Sequence, residues 1–276
     1  MLNSSTLAAE VGKLAKSLPP FPAIVVQLLD MLRDESASFD VLAHMARNDP
    51  VISANILAHA NHVRRLHAQS DLTDAMVAAS IIGINRVRRI VVSTGMNRFV
   101  SAVPGGPFLF HHSLAVAIAA QELAELNGQS QDLAYIAGML HDVGQLCLHM
   151  LDEHAFEKVY IDAIADGKLV EREAAVFGAD HCQIGAHLAR HWNLPEEIYS
   201  AILNHHDEET VTCPLQAGIY LSETIVRALD IPQSPKNRVT TLNSHAVAEL
   251  EVDWGSADMT DLYERCVTRY RHATQH

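Results

Sequence analysis

Apolar residues recur along the chain at helical spacing, and no segment alternates apolar and polar positions for long enough to make a strand. Residues 1–17 read as a first helix. Pro19, Pro20 and Pro22 stop it and start a second, striped by Ile24, Gln27, Leu28 and Met31. Ser38 is placed to cap a third, with Val41, Leu42 and Met45 inward. Asn48-Asp49-Pro50 stops and restarts the chain for a fourth, striped by Ile52, Ile56, Leu57 and Ala60, with Arg64 and Arg65 in the loop after it. Thr73 opens a helix that Gly83 closes, and Asn85 to Val100 forms the next. Its Arg86, Arg88, Arg89 and Arg98 read as a solvated face paired with acids, since no aromatic residues interleave with them.

Val103-Pro104-Gly105-Gly106-Pro107 is the strongest break, so two lobes are expected, 1–103 and 104–276. The second lobe opens with His112 at the start of a helix carrying Val116, Ala119, Leu123 and Leu126. A continuous buried helix is predicted over Leu133 to Leu148, with Ala137, Leu140, His141 and Gly144 on one face. Residues 152–178 are more polar, with a helix around Phe156 to Ile164. Asp180 then caps a helix in which His181, Ile184, Gly185, Leu188 and Trp192 share a face. Pro195 starts another, with Ile198, Ala201, Ile202 and His205 inward and His206 beside them. From Leu215, a further helix places Ile219, Ser222, Glu223 and Val226 together. A loop from Ile231 to Arg238, a short helix at Ser244 to Leu250 and a last helix from Asp258 to His272 complete an all-α chain.

Composition narrows the function. The net charge of −13 disfavours a broad nucleic-acid surface. Cys147, Cys182, Cys213 and Cys266 are widely spaced without a CxxC pair, and read as reduced thiols in a cytoplasmic protein. Neither a signal peptide nor a run of membrane length is evident. The anomaly is histidine, with 17 in the chain. His187 and His191 fall on the polar face of their helix and read as surface residues. His112, His141, His181, His205 and His206 come instead from apolar faces, beside Asp142 and Glu223. One inward histidine is ordinarily a satisfied core residue. Five beside two acids point to a shared metal site, because buried carboxylates are expensive unless paired or metal-bound. Imidazole with carboxylate suits Fe, Mn, Zn, Ni or Co.

From Leu18 to Leu229 the chain resembles the HDOD domain, the HD-related output domain of bacterial signalling proteins. The motifs are Leu18-Pro19-Pro20-Phe21-Pro22-Ala23, Asp49-Pro50 followed by Ile56-Leu57-Ala58-His59-Ala60-Asn61, and Ile82-Gly83-Ile84. The second half adds His112-Ser113, Gly138-Met139-Leu140-His141-Asp142-Val143-Gly144, His181 with Gly185, Trp192-Asn193-Leu194-Pro195 and His205-His206. The resemblance implies an N-terminal helical bundle packed on an HD-type helical core. It also implies one or two divalent metal ions. His112, His141, Asp142 and Glu223 would hold one, and Asp142 would bridge to a second held by His181, His205 and His206. Two departures bear on chemistry. HD enzymes have aspartate where this chain has Glu223, and HD-GYP enzymes have lysine where it has Gln145. Asp207-Glu208-Glu209 follows His206, with no Gly-Tyr-Pro, so hydrolysis of cyclic di-GMP is disfavoured. The resemblance implies a regulatory module that engages a signalling protein partner. The alternative is an active metal-dependent phosphohydrolase on another phosphoester.

Overall fold

The computed structural model describes residues 18, 22–27, 49–102, 106–209, 211, 213–234, 237 and 241–274. Among these there is no strand, and the fold is all-α. The helices expected over 1–17 and after Ser38, and the centre of the expected break at 103–105, lie outside the described residues. The chain divides into two compact units, Phe21–Phe99 and Met1–Pro20 with Val100–His276. No described helix is long and apolar enough to cross a membrane.

The smaller unit contains helices α1 (Pro50–Leu66), α2 (Ala75–Ile82) and most of α3 (Ile84–Ser101). Asp49 starts α1 by accepting from the backbone N–H groups of Val51 and Ile52, with Pro50 where a missing N–H does no harm. The same carboxylate pairs with Arg98, as expected for that arginine. Arg64 and Arg65 are not in a loop. They form the last turn of α1, where cations favour the helix dipole, and donate to Ser70 O and to Asp71. Asn61 fixes the return of the chain by accepting from Leu72 N–H (2.7 Å) and donating to Leu72 O (3.0 Å). Asp74, rather than Thr73, caps α2. Ile52, Ile56, Ala60, Val87 and Val91 are fully buried.

The larger unit is built around α4 (Gly106–Leu126). Leu114 to Ala120 of this helix are all buried, so it runs through a core rather than along a surface. α5 (Gln131–Leu140), α11 (Pro214–Ala228) and α13 (Ala257–Thr274) pack against it. The contact with α5 is close because Gly138 has no side chain; a Cβ there would sit 2.6 Å from Ala117 Cα. Glu122 of α4 is buried, which is tolerable because Arg265 and Arg269 of α13 both pair with it. α6 (Gly144–Leu151), α7 (Glu153–Asp166), α8 (Leu169–Phe177), α9 (His181–His191), α10 (Glu196–Asn204) and α12 (Ser244–Glu249) complete the unit.

The predicted helix over Leu133 to Leu148 is two helices. α5 ends at Leu140 and α6 begins at Gly144, with a turn at His141-Asp142-Val143. In the turn, Val143 N–H bonds back to Leu140 O and Gln145 N–H to Asp142 O, a tighter pattern than the α-helix. The break lets Gly144 press on α9, where a Cβ would lie 2.0 Å from His181 O and 2.7 Å from Gly185 N. Thus the backbone of His141-Asp142 is brought against the start of the His181 helix. His112 lies in the second turn of α4 rather than at its start.

Candidate metal centre

Five elements deliver the side chains to one place. α4 brings His112, the turn after α5 brings His141 and Asp142, and α11 brings Glu223. The first residue of α9 is His181, and the residues just after α10 are His205 and His206. All seven residues singled out in the sequence meet here. With Cys182 they form two groups, within each of which the ligand-capable atoms lie within 4.8 Å of one another. One is His112, His141, Asp142 and Glu223; the other is His181, Cys182, His205 and His206.

Asp142 faces both groups. Its Oδ2 is 3.6 Å from His112 Nε2 and 3.4 Å from His141 Nε2. Its Oδ1 is 3.2 Å from His181 Nε2 and 3.6 Å from His205 Nε2. Glu223 belongs to the first group alone. Its Oε1 is 2.6 Å from His112 Nε2 and 2.9 Å from His141 Nε2, while its Oε2 accepts from Arg227 Nε at 2.8 Å.

Backbone and second carboxylate partners fix the imidazoles. His141 Nδ1–H donates to Gly138 O and His205 Nδ1–H to Ile202 O, each at 2.7 Å. His181 Nδ1–H donates to Glu173 Oε2 at 2.5 Å. A neutral imidazole holding its proton on Nδ1 has only a lone pair on Nε2. Three such lone pairs therefore converge on carboxylate oxygens and on one another, with His181 Nε2 and His205 Nε2 3.3 Å apart. His141 Nε2 is buried and makes no well-formed hydrogen bond. Lone pairs facing anions repel unless protons or a cation lie between them. The donor set, the tautomers and the burial thus fit a divalent ion.

Proton affinities tell the same story for the metal-free protein. Burial opposes charge on His141, but Asp142 and Glu223 outweigh it and push its pKa up to about 10. His205 rises to about 9 against its own burial, drawn by Cys182 and Asp142. Burial works against ionised Asp142 and Glu223, yet the surrounding cationic groups, His141 for one and His112 with Arg227 for the other, hold both well below the usual carboxylate range. His206 is held well below the usual histidine value by burial and by His205 and His181. The Cys182 thiol, which burial alone would raise, is brought down to about 7 by His181 and His205.

Two neighbours of these groups, Glu173 and Arg227, carry no expectation in the sequence, and a third, Cys182, carries only that of a reduced thiol. Glu173 is fully buried on α8, a helix not anticipated in the polar stretch 152–178. Its signal was its place on the face shared with Val170, Ala174 and Phe177. Arg227 stands four residues after Glu223, the spacing of a helical ion pair. His187 is half-buried and belongs to neither group.

The fold recurs in known proteins. The chain resembles a solved HDOD domain protein of unknown function from Geobacter sulfurreducens, with 23% identity and a TM-score of 0.72 over 96% of this chain and 90% of that one. It also resembles a provisionally assigned phosphohydrolase of Shewanella amazonensis, at 22% identity and a TM-score of 0.67 over 94% of each chain. Over 117 residues it is 31% identical to ribonuclease Y of Aquifex aeolicus, 42% of this chain and 16% of that protein. The chain spans 45% and 16% of the lengths of two curated relatives that it matches. The model of the HDOD domain matches residues 18–208, and the chain belongs to the HDOD family.

Proposed function

We propose that the larger unit carries a two-position divalent metal centre that hydrolyses a phosphoester other than cyclic di-GMP, within a signalling protein. The observation that carries this reading is the division of Asp142, with Oδ2 turned to His112 and His141 and Oδ1 to His181 and His205. A carboxylate shared between two cation positions is the arrangement that in-line phosphoryl displacement uses. When bound, divalent ions supply Lewis-acid polarisation of a phosphoryl oxygen and acidify water near neutral pH.

The chain's own residues supply the rest. Gly138 O, Ile202 O and Glu173 hold the Nδ1 protons of His141, His205 and His181, so that each Nε2 lone pair faces inward. Arg227 takes Oε2 of Glu223 and leaves Oε1 for the first position. The Arg227 side chain is 38% exposed and its guanidinium has donors beyond those Glu223 occupies, which would offer an incoming phosphate a cation. Gln145 gives the site no charge of its own where related enzymes carry lysine. His112, with 23% of its side chain exposed, is the most open ligand of the first group and marks the side of entry.

A second reading has one observation in its favour: His141, His181 and His205 are at most 1% exposed. In a regulatory module the same ions would hold the helices together, and the partner would be another signalling protein. Metal-loaded protein offered bis-p-nitrophenyl phosphate, p-nitrophenyl phosphate and a short single-stranded RNA separates the two. Turnover abolished by Asp142→Ala supports hydrolysis. No turnover by protein shown to hold its metal overturns it and leaves the regulatory reading.

A further inference from the structure

We propose that Cys182 supplies a thiolate to the second cation position, making it a borderline-soft site unlike the all-nitrogen-and-oxygen first position. The inference rests on the metal-centre reading above and adds a ligand that no motif assigns.

An ion held tetrahedrally at about 2.0–2.1 Å from imidazole nitrogen and about 2.3 Å from sulfur separates its ligands by roughly 3.3 Å for N to N and roughly 3.5 Å for S to N. His181 Nε2 and His205 Nε2 stand 3.3 Å apart. Cys182 Sγ stands 3.5 Å from His181 Nε2. Asp142 Oδ1, at 3.2 and 3.6 Å from the two imidazole nitrogens, would supply the fourth ligand. Octahedral oxygen sites such as those of magnesium, at about 2.0–2.1 Å per ligand, would bring neighbouring ligands to roughly 2.9 Å.

Placement supports the same reading. Cys182 follows His181 in the first turn of α9, and Glu173 fixes that turn by accepting from both His181 N–H and Nδ1–H. The thiol is 4% exposed and faces imidazoles. His206, in the same group, is half-buried, with its ring 4.2 Å from that of His205 and 5.1 Å from that of His181. On ion binding the Sγ–H proton passes to solvent and the thiolate takes its place. Thiolate with imidazole selects zinc over magnesium or manganese, whereas the first position, two imidazoles and two carboxylates, suits harder ions. The two positions therefore differ in the metal they prefer.

The test uses the full chain loaded with cobalt(II), reading the metal bound per chain and the sulfur-to-cobalt charge-transfer band in the near ultraviolet. Wild type is expected to show the band. Cys182→Ser should lose it, bind zinc at least roughly tenfold more weakly, and keep the first ion; Cys213→Ser should keep the band. X-ray absorption of zinc-loaded wild type is independent of any folding defect in the variant and should show one sulfur at about 2.3 Å. Cobalt bound in wild type without the band, a band unchanged in Cys182→Ser, or a zinc shell of nitrogen and oxygen alone would overturn the cysteine assignment and leave the metal centre standing. Wild type that binds no cobalt would overturn the metal centre itself.

Discussion

Glu173 Oε2 lies 2.5 Å from His181 Nδ1 and also accepts the backbone N–H of the same residue at 3.0 Å. One buried carboxylate oxygen thus starts helix α9 and sets the tautomer of its first side chain. Replacing Glu173 by Gln keeps an acceptor but removes the charge that makes the imidazole a stronger donor to a cation. The expected result is a loss of about 10–100-fold in affinity at the second position with the first unchanged. Competitive zinc titration against a chromophoric chelator measures it, and equal affinity in both proteins would make Glu173 a helix cap only.

Glu223→Gln should weaken the first position and spare the second, because Glu223 Oε1 approaches only His112 and His141. Bound metal should fall by one ion per chain at limiting concentrations. Glu223→Asp shortens the reach by one methylene and pulls the carboxylate from Arg227, so intermediate affinity is expected. Unaltered metal content in the Gln variant would leave Glu223 as a partner of Arg227 alone.

The helical register and the inward histidines were legible in the sequence because apolar spacing carries both. Asp180 could be read as a cap for the same reason: a short polar side chain followed by an apolar stripe. The break after Leu140 was not legible. Leu133 to Leu148 is helical in period throughout, and the turn that interrupts it seats Gly144 against α9, a tertiary contact that no local pattern encodes. Glu173 was missed because a glutamate in a polar stretch looks solvated until the partner eight residues ahead is placed against it. The pairing of Asp142 with both groups is a tertiary fact, and the sequence offered it only through the HDOD resemblance.

Gly144→Ala should separate the His141-Asp142 turn from α9. The added methyl meets backbone on both sides, at His181 O and Gly185 N, so no side chain can yield to it. A loss of about 3 kcal/mol or more is expected in urea unfolding, together with weakened metal binding. A variant as stable as wild type would show that the two helices separate freely at this point.

The metal-free protein should lose stability as pH rises through about 9–10. His141 and His205 have folded values of about 10 and about 9, above the ordinary 6.5. Groups raised on folding stabilise fully below their unfolded value and lose that contribution as pH climbs through the folded one. Asp142 and Glu223, held well below their ordinary values, act in the opposite sense, and their contribution fades only in strong acid. Metal competes with these protons, so its affinity should rise with pH, by up to about tenfold per unit for each proton displaced. Melting curves with and without chelator from pH 6 to 10 test both signs. A metal-free Tm that climbs between pH 7 and 10 would contradict the assignment.

The central claim is that Asp142 joins two cation positions. Elemental analysis of wild type, His141→Ala, Asp142→Ala and His187→Ala after identical loading and desalting tests it most directly. Wild type and His187→Ala should hold one ion for each of the two groups. His141→Ala should lose the first ion, and Asp142→Ala should lose or weaken both. Equal metal in all four proteins, or none in wild type, would contradict the account.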